Sequence, residues 1–498
     1  MMKQPDVTSA NDEHNDVSSS SSSYSYSYSY SYSYSYESAV QALLSPGIHQ
    51  ATTKEDIIKS ALRRTKTVSD MRYYWNKILK HTNQNNNVNN NQNLQKKKKL
   101  LIHITGTKGK GSTACMCESI LRENGYKTGL FTSPHLIDIR ERIRYNGKPI
   151  HESIFSTVYW KIRNALESEY ESECNDEEYE VNRDDKNGDD PPPKLPGYFR
   201  MLTLMGMYTF LYELSSNVDV IILEVGMGGR YDATNFLDTT TTTTTCTTNY
   251  NNYFQRVVHG VTLLDLDHTR ILGNTLEQIA WEKGGIFSIN KLNPYGISSK
   301  TLKTTTTTAR EKAKEEDGKP SLAPSSSLSS SSSKYYILDS NTPEVINMMK
   351  SCARVEGGGG NGNGNSDDGE EQLVLVDSSG TKLKDALLLK KSSSSSGLGL
   401  AGNHQYGNAT LAMELCQAVT SSNTTRNDDD DDNDDGGCDS KRRRTTMRIG
   451  LGSSLTLNAL SNATWPGRCQ TLMWSSSSSS DDIINNNNNK RKRKRRRW

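Results

Sequence analysis

The feature that most constrains this chain is the stretch LLIHITGTKGKGSTACM, Leu100 to Met116. An apolar run, Leu100 to Thr105, reads as a buried strand, stops at a knot of Gly, Thr and Lys, and resumes as a helix from about Ser112 to Asn124. A strand that ends in glycines and reopens as a helix is the setting in which backbone N–H groups and a lysine cradle phosphates. A plain glycine-rich turn is the other reading. The knot is not a standard Walker A loop, which would need Gly at Ile104 and a hydroxyl at Gly111; here the hydroxyl comes one place late, at Ser112.

The blocks that follow alternate between strand and helix patterns. Thr128 to Phe131 reads as a short strand, Met201 to Tyr212 carries helical spacing, and Val218 to Gly226 is a second buried strand. Gly260 to Leu266 reads as a third, followed by a helix opening at Asn274 with Glu277 as an Asn variant of the capping box. Strands alternating with helices imply an α/β fold with a parallel sheet covered on both faces, whose ligands bind beyond the carboxyl ends of the strands.

Between these blocks lie tracts too poor in apolar residues to offset the entropy of ordering them. Only 33% of the 498 residues are hydrophobic. Residues 1–35, rich in Ser and Tyr, and 473–498, rich in Ser, Asn and basic residues, read as disordered tails. Low-complexity insertions are expected at about 83–95, 167–193, 239–252, 288–397 and 420–445, within one domain spanning 36–472. Sixty basic and 58 acidic residues nearly cancel, so no overall field argues for nucleic acid or a membrane as partner. The basic runs at Lys441 and Lys490 to Arg497 read as solvated tails or nuclear localisation patches. Eight cysteines without a CxxC pair fit reduced thiols in a cytosol-like compartment, and no apolar stretch is long enough to span a bilayer.

Single residues at the strand ends carry the remaining signal. Glu224 closes its strand where an unpaired carboxylate is costly, and reads either as a metal ligand or as a capped loop residue. His268 poses the same choice, with Asp265 and Asp267 beside it. Lys283 follows Leu276 by seven places and Ile279 by four, so it lies on the apolar face of its helix. Either it snorkels, or burial lowers its pKa and leaves an amine able to react with CO2.

Taken together, these residues resemble the Mur ligase superfamily, and within it folylpolyglutamate synthases of the eukaryotic type. The stretches that carry the likeness are YESAVQALL (Tyr36 to Leu44), Ile104 to Ile150, YFRMLTLMGM (Tyr198 to Met207), VIILEVGMGGRYDATN (Val220 to Asn235), Gly260 to Phe287, LGLAGNHQYGNATLAMEL (Leu398 to Leu415) and WPGRCQTL (Trp465 to Leu472). The resemblance implies a Mur-ligase-type central P-loop ATPase domain and an enzyme that uses ATP and Mg²⁺ to join L-glutamate to the γ-carboxyl of a reduced folate. Carried over by position, Gly106, Thr107, Lys108, Gly109, Lys110, Gly111 and Ser112 form the phosphate cradle, with Lys110 as its lysine. His404, Asn408 and Arg468 become nucleotide contacts. Ser133, Glu224 and His268 become Mg²⁺ ligands, and Lys283 aligns with a lysine that is carbamylated in related ligases; Lys110, Lys283 and His268 are then the catalytic set. The resemblance also implies a monomer in the cytoplasm or mitochondria. After WPGR the family continues into a smaller C-terminal α/β domain, where this chain runs into its Ser, Asn and basic tail. The rival readings are a dihydrofolate synthase and a nucleotide-binding remnant without catalysis.

Overall fold

The structure is a computed structural model that describes residues 34–45, 63–86, 97–175, 192–237, 253–287, 334–353, 373–389, 397–421 and 449–465. In chain order the helices and strands are α1 (Tyr36–Leu43), α2 (Thr67–Asn86), β1 (Lys99–Thr105), α3 (Lys110–Glu123), β2 (Thr128–Phe131), β3 (Ile143–Tyr145) and β4 (Lys148–Pro149). There follow α4 (Glu152–Asn175), α5 (Tyr198–Tyr208), β5 (Val220–Glu224), β6 (Phe254–Val261), α6 (Thr269–Leu272) and α7 (Leu276–Gly284). The last are β7 (Lys334–Leu338), α8 (Pro343–Ala353), β8 (Leu373–Val376), α9 (Thr381–Leu389), α10 (His404–Thr420) and α11 (Ser454–Asn462).

These strands form one sheet in the order β4-β3-β2-β5-β1-β6-β7-β8. From β2 to β8 all neighbours are parallel, and the β3–β4 hairpin adds an antiparallel edge beside β2. The parallel α/β expectation therefore holds. Alternation along each strand assigns the two faces. On β1, Ile102 and Ile104 pack with α3, α10 and α11, whereas Leu101 joins the opposite cluster under α2, α4 and α5. On β7, Tyr336 and Leu338 face the first cluster, and Tyr335 and Ile337 pack beneath α7 and α8. β1 sits between β5 and β6, with Ile104 opposite Glu224 and Thr105 opposite Val261, so the loop after β1 emerges between two other strand ends.

Several boundaries differ from the sequence reading. The strand placed at Gly260 to Leu266 is β6, which ends at Val261; beyond it the chain leaves the sheet, and the Leu263 carbonyl accepts the N–H groups of Thr107 (3.0 Å) and Lys108 (3.1 Å). Gln255, Arg256 and His259 had hidden the strand's first half. The helix after the glycine knot begins at Lys110 rather than Ser112. The cap of α7 is Thr275, whose side chain accepts from the Gln278 N–H, while the Gln278 side-chain oxygen takes the Asn274 N–H at 2.7 Å. The largest difference lies in 288–397, read as a low-complexity insertion: β7, α8, β8 and α9 fall inside it and extend the sheet by two strands. Each is short and set among Ser-, Thr- and Gly-rich runs, so the composition of the whole tract concealed them. Likewise α2 runs on to Asn86 and α4 to Asn175, inside expected insertions, and Ser35 caps α1 by accepting the Ser38 N–H at 3.1 Å. The tails at 1–33 and 473–498, the tracts 239–252 and 422–448, and Arg468 lie outside the described residues.

The core beneath α2 centres on Trp75, which is fully buried among Tyr212, Phe236 and Tyr253 and donates its indole N–H to the Tyr253 hydroxyl at 3.2 Å. Truncating so large a buried ring leaves a cavity that the neighbouring aromatic rings cannot fill. We expect Trp75→Ala to cost about 3–5 kcal/mol and Trp75→Phe markedly less, measured by urea unfolding.

Candidate active site

The loop between β1 and α3 is glycine at two places because nothing larger fits. Gly106 has φ +146°, and a Cβ there would lie 1.8 Å from the Thr262 hydroxyl oxygen. Gly109 has φ +95° and a Cβ there would lie 2.5 Å from Asn408 Oδ1. Gly109 is also the N-cap of α3, and no side chain caps that end. The first-turn N–H groups of a helix have no partner inside the helix, so this end offers donors and the positive pole of the dipole at one point.

Two ammonium groups close on the same place. Lys110 Nζ donates to the Gly106 carbonyl at 3.1 Å, and Lys283 Nζ donates to the same oxygen at 2.7 Å. Lys283 is 3% exposed, so it does not snorkel to solvent. Burial, reinforced by the charge of Lys110, lowers its pKa to about 7, against the opposing pull of Asp267, Asp232 and Glu282. Lys108 points elsewhere: its exposed ammonium pairs with Asp265 at 2.5 Å, and that contact raises its pKa.

Glu224 ends β5 and is buried; its Oε2 accepts the Ser133 N–H at 3.0 Å, and both carboxylate oxygens stand 3.5 Å from where a Cβ on Gly111 would be. Glu224 and Ser133 are thus together at the N-terminus of α3. His268 is placed differently. It holds a left-handed backbone, φ +50°, at the N-cap of α6, and its exposed ring lies 3.7 Å from Asp267. Among the described residues no group of three His, Cys, Asp or Glu side chains is arranged to hold a metal ion. A carboxylate and a hydroxyl beside an anion-binding helix end still suit a hard, oxygen-seeking divalent cation that keeps water and phosphate oxygens as its other ligands.

From the opposite side, α10 leans over the loop. Asn408 is buried against Gly109 and donates to Gln405 Oε1 at 3.0 Å, while Gln405 Nε2 reaches the Ser112 hydroxyl at 3.4 Å. His404, at the first position of α10, is exposed. Gln405 was not singled out from sequence; its spacing of three from Asn408 on a helix is the signal that could have found it. Also missed was Arg142, which is 8% exposed, donates from Nε to His135 Nδ1 at 2.8 Å and lies over the Tyr198 ring at 5.6 Å. Burial lowers its pKa, against the pull of Tyr198 and Glu224.

The depressed pKa of Lys283 has a sign that can be tested. In the unfolded chain this amine is protonated up to the ordinary lysine value of 10.5, but in the folded chain only below about 7. Between those values the folded state binds fewer protons, so the Lys283 contribution to stability rises with pH across the window and is least favourable below it. We expect the difference in unfolding free energy between the unaltered chain and Lys283→Met to move by a few kcal/mol (about 2–4) in favour of the unaltered chain from about pH 6 to about pH 9, read by urea unfolding.

No protein-family model matches the chain. It is 46% identical over 188 residues to the mitochondrial folylpolyglutamate synthase of Bos taurus, which covers 38% of this chain and 26% of that protein. It is 39% identical over 208 residues to the folylpolyglutamate synthase of Saccharomyces cerevisiae, covering 40% and 32%. Among solved structures, the apo form of L. casei FPGS aligns at a TM-score of 0.48 with 17% identity, covering 87% of this chain and 73% of that one. The chain thus spans about a quarter to a third of the length of these curated relatives. Over the matched stretch it is similar to the folylpolyglutamate synthases.

Proposed function

We propose that this chain belongs to an ATP-dependent ligase that joins the amine of L-glutamate to the γ-carboxyl of tetrahydrofolate, acting as a monomer. The observation that supports this most is the convergence of Lys110 and Lys283 on the Gly106 carbonyl, at an uncapped helix end that also faces Glu224. That arrangement is built for a polyanion held next to a cation, as the phosphates of ATP with Mg²⁺ would be.

A carboxylate is a poor electrophile, so the γ-carboxylate oxygen attacks the γ-phosphorus of ATP and ADP departs. The amine of glutamate then adds to the acyl phosphate carbon, the tetrahedral intermediate expels phosphate, and the amine loses a proton to solvent. The α3 N–H groups and Lys110 neutralise charge on the transferred phosphoryl oxygens. Asn408, Gln405 and Ser112 fix the wall of the loop that the nucleotide lies against, with His404 and Arg468 as further nucleotide contacts. Glu224 and Ser133, with His268, would hold Mg²⁺, which supplies charge neutralisation and orientation of the phosphates when bound. In its neutral form Lys283 attacks CO2 and releases one proton to solvent, giving a carbamate; the carbamate nitrogen keeps the other hydrogen, enough to preserve the bond to the Gly106 carbonyl. Much of the rate comes from holding three substrates in near-attack geometry.

Two rivals stay distinct in the same assay. A dihydrofolate synthase would add the first glutamate to dihydropteroate, and a nucleotide-binding remnant would bind ATP without glutamate-dependent phosphate release. The bovine relative is named as mitochondrial. For this chain we propose the cytoplasm, with mitochondria as the alternative; no helix among the described residues is long and apolar enough to cross a membrane.

We expect the full chain, given ATP, Mg²⁺, tetrahydrofolate and labelled glutamate, to form a folate diglutamate and to leave dihydropteroate untouched. Lys110→Met should lower kcat/KM by roughly a hundredfold or more, as loss of a charge-stabilising donor does. Preference for dihydropteroate, or ATP binding with no ligation, would turn the assignment to the corresponding rival.

A further inference from the structure

One guanidinium away from the phosphate loop touches three of the segments that carry the site residues. Arg64 lies in a single 3₁₀ turn, Arg63–Lys66, just before α2. Its Nη1 and Nη2 grip both carboxylate oxygens of Glu282, at 3.0 and 2.7 Å, and Glu282 immediately precedes Lys283 on α7. Nη1 also reaches the Ile271 carbonyl at 3.4 Å, and the Ile271 N–H is bonded to the His268 carbonyl at 2.8 Å. The third contact is with the loop that runs on from Glu224. Arg64 lies over the Tyr231 ring at 5.3 Å, and a Cβ on Gly228 would stand 3.5 Å from its Nη2 and 3.0 Å from Leu272.

The arginine is itself held from behind. Its carbonyl accepts the Thr67 hydroxyl at 2.7 Å; Arg200 donates to that hydroxyl at 2.9 Å and to Asp70 at 2.8 Å, and Asp70 also takes a two-pronged contact from Arg63. The partners are mostly shielded, with side-chain exposures of 22% for Arg64 and 9% for Glu282. A fork bonded at two oxygens fixes direction as well as distance, which a single ammonium cannot do. The Glu282 carbonyl in turn accepts the Arg230 N–H at 2.7 Å, tying the same loop to α7 a second time.

We propose that Arg64 is a positioning residue: its guanidinium locks the helix bearing Lys283, the turn after His268 and the loop after Glu224 into one arrangement around the phosphate loop. Arg64 touches none of the loop residues and acts only through these three segments. In what it says about turnover, the inference rests on the ligase reading above.

The test uses the full chain with Arg64→Met, Arg64→Lys and Arg64→Ala, followed by hydrogen exchange with mass spectrometry and by steady-state ligation. Arg64→Met should lose exchange protection in 228–231, 269–272 and 276–284 while α10 and α11 keep theirs. In ligation its kcat should fall about tenfold or more with the KM for ATP changed less than about twofold, because alignment is lost and ground-state binding is not. Arg64→Lys should recover little. Methylguanidinium added to Arg64→Ala should restore both protection and turnover, which a general loss of stability would not allow. Unchanged exchange in the three segments, an even loss across the chain, or a raised KM at constant kcat overturns the proposal. If the unaltered chain performs no ligation, the ligase reading fails and the exchange and rescue arms alone decide the role of Arg64.

Discussion

The carbonyl of Gly106 is the point on which the site turns. It accepts from two lysines at very different separations in sequence, Lys110 four residues ahead and Lys283 177 residues ahead. Two ammonium groups sharing one acceptor repel each other, and only a neutral partner or an added anion relieves that. Burial and the neighbouring charge bring Lys283 to a pKa of about 7, so the first remedy is within reach near neutrality and complete only above it. A polyanion at the helix end would supply the second. Everything nearby serves this convergence: Gly106 must lack a side chain to pass Thr262, and β6 must stop at Val261 so that Leu263 can hold the loop from below.

The contact also shows how much of the site could be read in advance. The strand, glycine knot and helix at Leu100 to Glu123 declare themselves locally, through an apolar run, a punctuation and a renewed period. The position of Lys283 on an apolar face follows from Leu276 and Ile279, and the burial found for it agrees. What the residues alone left open was whether its amine escaped to water, because that depends on a carbonyl in a distant loop. Arg64 was illegible for the same reason: it is a polar residue whose importance lies in partners far off along the chain, and no local pattern marks such partners. Gln405 offered only its spacing of three from Asn408. Glu224 was legible as a strand-end residue and Ser133 only through the resemblance, and their hydrogen bond depends on β2 and β5 being neighbours in the sheet.

Composition misled in one region for a physical reason. Strands of five and four residues, Lys334–Leu338 and Leu373–Val376, add only a few apolar side chains to a tract dominated by Ser and Gly. They are strands because the open edge of β6 supplies the first with partners for its backbone, and the first then supplies the second. Helices α7 and α8 and the loop holding Asn341 complete the arrangement: Asn341 accepts the Leu264 N–H at 2.8 Å and donates to the Thr262 carbonyl at 3.3 Å, so the added strands brace the segment that supports the phosphate loop. Sequence windows average over such elements, while the sheet selects them individually.

Behind the loop, the two imidazoles of the sheet's central strands are kept neutral. His103 and His259 lie opposite each other on β1 and β6, both wholly buried, and burial lowers the pKa of each to about 3, so neither carries a proton near neutrality. His103 meets the Thr234 hydroxyl at 2.9 Å, and Thr234 donates its own proton to Asp232 at 2.6 Å, while Nδ1 of each histidine is buried with no hydrogen-bond partner. Had either histidine been charged, it would have competed with Lys110 and Lys283 for the same anion from the wrong side of the loop. With both neutral, the positive potential at the N-terminus of α3 comes from the helix end and the two lysines, and its response to pH near neutrality enters through Lys283.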